Sequence, residues 1–294
     1  MSPATATSAP RLLLSTESLL GVARYPRERL LATGQRWGDP TALGAALRTA
    51  RDAGADGVLV SPSAELRAAL DAGAGALPVY ALLPNVPAYV RDSSEAGLIG
   101  AALKRVQGAP LAVLMRLGIT GATHALGVLG SDFASLLPLL LELEAAALGP
   151  RRLAGVLVAA PITDLALAGG NARFFVHLTA FIRGRWGAQA GFETHNLGHL
   201  LRRLREWGVK PDLVVGPVNP QGFLMKPTPG DALAELFAAE VPVLAKQVRA
   251  GGTIPLAEGA RFAIDRGASG VAADLADLED PAVEIATLRS IVGR

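Results

Sequence analysis

Short apolar runs alternate with longer amphipathic stretches along most of the chain. Within each run, neighbouring positions are apolar on both sides of the chain, which is typical of parallel strands covered on both faces. The pattern predicts nine candidate strands, at residues 11–16, 57–61, 78–83, 111–117, 153–160, 190–196, 212–219, 241–248 and 269–274. The runs at 11–16 and 78–83 are the weakest of these predictions.

The stretches between the runs carry helix signals. Asp39-Pro40, Ser61-Pro62 and Asp280-Pro281 each place a capping side chain before a proline, which predicts a helix start. Gly54 and Gly208 are typical of helix ends. The segment HLLRRLREW (199–207) carries leucines and a tryptophan on one face and arginines on the other, which predicts a helix lying on a sheet.

Repeated strand–helix units over this length predict a (β/α)₈ TIM barrel of the α/β class, with one strand outside the ring. An open doubly wound sheet is the alternative. Residues 1–10 are small, polar and rich in proline, and we expect a disordered N-terminal tail there. No linker divides residues 11–294, which we therefore interpret as a single barrel domain.

Composition narrows the function classes. The chain has 294 residues, of which 50% are hydrophobic, and 28 basic residues stand against 26 acidic ones. Without a run of like charges, nucleic acid and membrane surfaces are not expected partners. The absence of cysteine excludes disulfides, thiolate metal ligands and a cysteine nucleophile. We expect a cytoplasmic protein with a small-molecule ligand, and we leave homo-oligomerisation open.

The chemistry of a TIM barrel takes place where its strands end. Polar residues at the predicted strand ends are Glu17, Ser61, Asn85, Arg116, Thr163, Asp164, Glu193, His195, Asn196, Asn219, Lys226, Lys246, Gln247 and Asp274. Because side chains alternate along a strand, Glu193 and His195 share one face. The ordinary alternative is that such residues cap helices and satisfy loop backbone.

Lys246 interrupts an apolar strand near its end, where partial desolvation is expected to lower its pKa. A lysine of that kind serves as a base or forms a Schiff base, with Glu193 or His195 as the proton shuttle. The alternative is an ion pair with Glu193 or Asp274. We predict that the substrate is bound by Asn196, Asn219, Lys226, Arg116 and Asp164.

The loop RAGGTIP (249–255) follows the same strand. Its glycines allow backbone N–H groups to approach an anion, and a basic side chain adds a charged donor. We therefore predict that Arg249, Gly251 and Gly252 bind an anion. A tight turn that needs glycine only for its backbone angles is the alternative.

Other site types have weaker signals. Glu193, His195 and His199 offer metal ligands, which Asp164 and Asn219 would complete, but no HExxH helix aligns them. We predict no metal. The chain also lacks the GxSxG, GxGxxG and phosphate-loop motifs, which argues against serine hydrolysis and common nucleotide binding.

Five segments of the C-terminal part occur in the order found in one known barrel family. GFETHN (191–196), the helix at 199–208, DLVVGPVN (212–219), PVLAKQVRAGG (242–252) and the stretch at 270–288 together resemble the aldo-keto reductases. The resemblance implies a TIM barrel that holds NADPH at its late strands. That family also uses an Asp, a Tyr, a Lys and a His for catalysis. The corresponding runs, which begin at residues 57, 78 and 153, do not offer the Tyr, the Lys or the His at the expected places. NPxGFxMKP (219–227) is also similar to motifs in a broader group of barrels without an assigned activity.

These features favour a lyase or isomerase that needs no cofactor and acts on an anionic carbonyl compound. Both phosphorylated and unphosphorylated compounds belong to this class. The alternatives are an NADPH-dependent oxidoreductase with an altered catalytic set, a non-catalytic ligand-binding barrel, and a metal-dependent hydrolase or lyase.

Overall fold

The computed structural model describes residues 8–20, 25–73, 75–92, 94 and 133–293. Eight parallel strands form a closed barrel in which each strand pairs with the next and the last pairs with the first. The strands are β1 (Leu12–Ser15), β2 (Gly57–Val60), β3 (Val79–Leu83), β4 (Leu153–Val158), β5 (Gln189–Glu193), β6 (Leu213–Pro217), β7 (Val243–Lys246) and β8 (Gly270–Asp274).

Helices surround the barrel in the order expected of strand–helix repeats. They are α1 (Arg27–Trp37), α2 (Pro40–Asp52), α3 (Ala64–Ala72), α4 (Phe133–Ala147), α5 (Ala160–Ala168), α6 (Ala172–Trp186), α7 (Leu197–Trp207), α8 (Pro229–Phe237), α9 (Leu256–Asp265) and α10 (Pro281–Val292). Residues 86–92 are also helical, and short 3₁₀ turns follow β1 (Glu17–Leu20) and β8 (Leu275–Asp277).

The TIM-barrel prediction is confirmed. The runs at 11–16 and 78–83, rated the weakest, are barrel strands β1 and β3, so that rating was wrong. The residues of both strands are buried throughout, and the aromatic ring of Tyr80 in β3 packs inside the barrel. The ninth candidate, at 111–117, lies outside the described residues, as does most of the predicted tail.

Local capping explains where several helices begin. Asp39 accepts a hydrogen bond from the Ala42 N–H at 2.8 Å, and Asp280 caps α10 in the same way, as predicted. The predicted start at Ser61 was wrong. Helix α3 begins at Ala64 because Ser63 accepts the capping bond from the Leu66 N–H at 3.1 Å. Ser61 is thereby left to face the barrel mouth.

Side chains alternate between two apolar layers. Outward-facing strand residues such as Phe192 pack against helix side chains, including Phe175, whose ring centroid lies 4.9 Å away. Inward-facing residues, including Leu157 and Tyr80, fill the barrel. Gly57 and Gly155 on the neighbouring strands leave room for the Tyr80 ring. The filled interior forms the floor on which the site rests.

We expect Gly155→Ala to destabilise the barrel. The added Cβ would lie 2.8 Å from the Cε1 atom of the buried Tyr80 ring. Overpacking of this kind costs about 1–3 kcal/mol in the free energy of unfolding. The matched control is Gly184→Ala in α6, where a Cβ would meet nothing within 4 Å. Chemical denaturation should show a loss for the first variant and none for the second, and equal stabilities would contradict this account of the floor.

Candidate active site

A cavity of about 430 Å³ opens at the carboxyl ends of the strands. The described residues that line it include apolar side chains and seven polar ones, which are Glu17, Ser61, Arg91, Glu193, His195, Lys246 and Gln247. They follow or end strands on different sides of the ring. The structure therefore brings together Glu193, His195 and Lys246, which the sequence analysis singled out for catalysis.

Three ionisable groups meet at one point of this cavity. The Lys246 ammonium donates a short hydrogen bond to Oε1 of Glu193, and Oε2 of Glu17 lies 3.5 Å from the same Nζ. Glu193 and Lys246 are buried, whereas the Glu17 side chain is 24% exposed. Lys246 therefore joins two carboxyl groups, of which only Glu17 is open to a ligand to any extent.

The strand layout explains this meeting. Glu193 ends β5 and Lys246 ends β7, and inward-facing side chains from alternate strands share one layer of a TIM barrel. Glu193 also accepts a hydrogen bond through Oε2 from the Ala160 N–H, at 3.2 Å. Ala160 is the first residue of α5, where the helix dipole favours negative charge. This helix end holds the Glu193 carboxylate in place.

Burial and charge shift the pKa values of this group. Burial, together with the nearby Glu193, raises the pKa of Glu17 to about 8, although Lys246 acts in the opposite direction. Burial raises the pKa of Asp274, which lies close enough to raise that of Glu17 further. A carboxyl group with this pKa exchanges its proton near neutral pH.

The expected fall in the pKa of Lys246 was wrong. Burial alone would lower it, but Glu17 and Glu193 together hold the pKa of Lys246 above that of a free lysine. The ion pair with Glu193, the alternative in the sequence analysis, is present, and the second carboxyl partner of Lys246 among the described residues is Glu17, not Asp274. A lysine with a raised pKa is a poor Schiff-base nucleophile near neutral pH, so Lys246 is suited to electrostatic stabilisation.

His195 lies at the edge of the cavity with its side chain 37% exposed. Its backbone N–H donates to Oδ2 of Asp164 at 3.0 Å, and its Nδ1 lies 3.5 Å from the same oxygen. Thr194 donates through its hydroxyl to the other oxygen of Asp164. Asp164 thus contacts His195, and it is not among the described residues that line the cavity.

Three predicted substrate-binding residues lie outside the described cavity lining. Asn219 uses its amide on the Phe223 backbone, accepting at 2.8 Å and donating at 2.9 Å. Asn196 precedes α7, and its N–H donates to the Thr194 hydroxyl at 2.8 Å. Lys226 is exposed before Pro227. Of the three, only Asn219 has its side-chain amide bonded to loop backbone.

The predicted anion loop is also turned away from the described cavity lining. Arg249 donates to the carbonyls of Ile254 and Asp277, at 2.9 and 3.3 Å. Gly251 and Gly252 have φ angles of +75° and +95°, and a Cβ at Gly252 would collide with the guanidinium of Arg29. These contacts favour the tight turn over an anion cradle. Arg116 lies outside the described residues.

A further buried carboxyl group, that of Asp277, lies in the 3₁₀ turn after β8. Asp277 is 2% exposed and accepts a hydrogen bond from the Tyr25 hydroxyl at 2.6 Å, while Arg249 approaches to 3.8 Å. Burial raises the pKa of Asp277 to about 7, although the Tyr25 hydrogen bond acts in the opposite direction. Asp277 therefore binds a proton in the folded chain at a pH where the unfolded chain has lost it.

We expect Asp277→Asn to reduce the pH dependence of stability. Because the pKa is raised on folding, the stabilisation from Asp277 is full below about pH 4 and disappears as pH rises to about 7. The wild-type protein should therefore lose more unfolding free energy than the variant when the pH is raised from 4 to 8. The difference between the two losses should be a few kcal/mol at most. Denaturation at both pH values checks this. Asp265→Asn, at an exposed position, should retain the wild-type dependence, and an identical result for Asp277→Asn would contradict the assignment.

Sequence reasoning gave too little weight to two residues of the cavity. Glu17 was recognised only as one of many strand-end residues, although it follows a buried strand by two positions and precedes two leucines. Arg91 was missed. It lies in the helical segment at 86–92 and donates to the Leu20 carbonyl at 3.4 Å. The proline-bounded apolar segment before Arg91 was the signal for a cavity wall.

The described residues show neither a metal-ligand cluster nor a membrane-spanning helix. Among them, no set of three or more histidine, aspartate or glutamate side chains is arranged to bind a metal ion. His199, offered as a ligand, lies within α7 and is not part of the described cavity lining. In the same part of the chain, every helix is too short or too polar to cross a lipid bilayer.

Neither a protein-family model nor a curated protein matches the chain. Among solved structures, an aldo/keto reductase from Brucella melitensis is similar, with 15% identity, 85% of this chain and 82% of that chain covered, and a TM-score of 0.43. The apo homocysteine methyltransferase MmuM from Escherichia coli covers 97% of this chain and 96% of its own, with 12% identity and a TM-score of 0.44. Similarities this distant carry no argument about activity, and the fold assignment rests on the closed strand pairing.

Proposed function

We propose that the chain is an enzyme of the lyase or isomerase class that moves a proton on a small carbonyl compound. The observation that carries the proposal is the charged lysine held between two carboxyl groups in the barrel-mouth cavity. Groups whose environments shift their pKa values in this way are typical of acid–base sites.

Lys246 supplies positive charge at the point where an enolate oxygen would form. Its ammonium has three donors, of which Glu193 takes one, and its raised pKa keeps it charged. A fixed cation stabilises negative charge that develops on a carbonyl oxygen as a proton leaves the neighbouring carbon. Glu193 holds this cation in position and need not contact the substrate.

Glu17 takes the proton from that carbon. The C–H electron pair passes to the enolate, and the proton is bound by the Glu17 carboxylate. Returning the proton to a different carbon completes an isomerisation, and expulsion of a leaving group from the enolate completes an elimination. The pKa of about 8 makes Glu17 a stronger base than an ordinary carboxylate. His195, oriented by Asp164, is placed to exchange a proton at the outer side of the cavity.

Solvent-deuterium incorporation tests the proposal. Wild-type protein in D₂O should exchange the hydrogens next to the carbonyl of 2-oxo acids faster than buffer does, as followed by proton NMR. A Glu17→Gln variant should lose the acceleration, because the amide cannot accept the proton. Exchange no faster than buffer across a panel of carbonyl compounds would count against the proposed chemistry.

The residues that would hold a nicotinamide under the reductase alternative do not fit that task. The aldo-keto reductase resemblance places Asn219 against the nicotinamide. Its side-chain amide is instead hydrogen-bonded to the Phe223 backbone. In the predicted anion loop, Arg249 donates to the Asp277 carbonyl, and Gly252 packs against Arg29. We therefore derive no hydride-transfer step.

A further inference from the structure

The described wall of the cavity is predominantly apolar. Nine of its 16 described lining residues are leucine, valine, proline or alanine. Most of the apolar residues come from segments that follow the strands, namely Leu20, residues 84–90, Pro161 and Leu224. The charged group of Glu17, Glu193 and Lys246 comes from the strand ends or just after them. The cavity therefore has a charged bottom and apolar side walls.

The wall has no evident use in a site for a small, fully polar substrate. Sugars and phosphorylated aldehydes would leave their hydroxyl or phosphate groups against carbon atoms, at the cost of lost hydration. Val90 lines the cavity with 61% of its surface exposed, which is apolar surface that a ligand would bury. The cavity volume of about 430 Å³ lies in the range of small-molecule pockets.

Charge at the cavity favours a single negative group. Lys246 is balanced by Glu193, Glu17 carries at most a partial charge near neutral pH, and Arg91 stands at the wall as a further cation. Arg249 and the two glycines of the predicted anion loop are engaged outside this lining. The described residues thus match one carboxylate and do not form a phosphate cradle.

Resting on the proposed function, we propose that the substrate is an apolar 2-oxo acid or a similar carbonyl compound. Its carbonyl group contacts the Lys246 ammonium at the bottom of the cavity. An aromatic or branched aliphatic tail packs on the wall formed by Leu20, Val86, Val90 and Leu224. The compound carries one carboxylate and no phosphate.

Calorimetric titration of the full chain tests this with three probes, namely phenylpyruvate, pyruvate and dihydroxyacetone phosphate. The apolar ring should make phenylpyruvate bind at least about tenfold more tightly than pyruvate. Dihydroxyacetone phosphate should bind no better than pyruvate. Tighter binding of the phosphorylated probe, equal binding of phenylpyruvate and pyruvate, or no binding of any probe would overturn the proposal.

A matched pair of variants locates the tail. Val90→Ser removes apolar surface from the wall, whereas Val283→Ser changes an equally exposed valine on α10, at 60%, outside the described cavity lining. The first should weaken phenylpyruvate binding about threefold or more and leave pyruvate unchanged, and the second should do neither. Equal effects of both would overturn the proposal.

The binding experiment tests the ligand class and the deuterium experiment tests the proton transfer, so either can fail without the other. Selective binding of phenylpyruvate without deuterium incorporation would keep the ligand class and reject the proton-transfer function. Deuterium incorporation that is fastest with pyruvate or dihydroxyacetone phosphate would keep the function and reject the apolar substrate.

Discussion

Lys246→Met is expected to abolish proton transfer and to destabilise the chain more than the other single substitutions considered. Methionine preserves the length of the side chain but removes the charge that joins Glu193 and Glu17. Removing one partner of a buried ion pair costs about 3–5 kcal/mol, because the other charge stays buried without compensation. Removing a fixed donor to an oxyanion lowers kcat by about 10²–10³-fold.

Denaturation and deuterium-exchange rates measure the two effects separately. The matched control is Lys210→Met, since Lys210 pairs with Glu240 at the surface, where both side chains are more than half exposed. Exposed pairs of this kind contribute little, and neither stability nor exchange should change measurably. If Lys246→Met is as stable as Lys210→Met, the buried pair does not have the role assigned to it.

A second substitution separates stability from chemistry. Adding Glu193→Gln to Lys246→Met removes the charge left behind, so the double variant should recover much of the lost stability. Exchange should remain absent, because the ammonium that stabilises the enolate is still missing. Recovery of exchange in the double variant would contradict an electrostatic role for Lys246.

Glu17→Gln is expected to lower kcat for deuterium exchange by about 10²–10⁴-fold, the usual contribution of a general base. Substrate binding should change little, since glutamine has nearly the same shape. Glu28→Gln, on the exposed face of α1, is the control and should leave the rate unchanged. A Glu17→Gln variant with near wild-type kcat would remove Glu17 from the mechanism.

The pH profile gives this prediction a second readout. As a base, Glu17 must be ionised in the free enzyme, so kcat/KM should rise with pH until about 8 and then level off. Its raised pKa has the opposite effect on stability, which decreases as pH rises between about 4.5 and 8, because the unfolded chain releases the proton first. Glu17→Gln should lose both dependences.

Much of the architecture was predictable because a closed parallel barrel imposes a strict pattern on its strands. Runs apolar on both faces located β2 and β4–β8, and the alternation along β5 placed Glu193 and His195 on the inner face. The low rating of β1 and β3 was wrong, since both strands are as long as β2 and β5 and are buried at every position. Their pairing with β8 and β4 makes β1 and β3 part of the closed barrel, and these pairings join residues that are distant in sequence.

The site was only partly predictable for a related reason. A polar residue at a strand end looks the same in sequence whether it faces a ligand or satisfies a loop. Asn219 and Arg249 bond to backbone within their own loops or to a neighbouring one, whereas Lys246 bonds across the barrel. The pKa of Lys246 was misjudged because burial was weighed without the two carboxyl groups that face it.

We propose that Glu17, Glu193 and Lys246 form one proton-transfer group at the barrel mouth. Carbon-13 NMR of protein labelled at the glutamate carboxyl carbons tests it most directly, by following each carboxyl signal against pH. We predict one signal that titrates near pH 8, is absent in Glu17→Gln, and shifts to higher pH in Lys246→Met. Titration of every glutamate signal near pH 4.5, the ordinary value for this side chain, would contradict the claim.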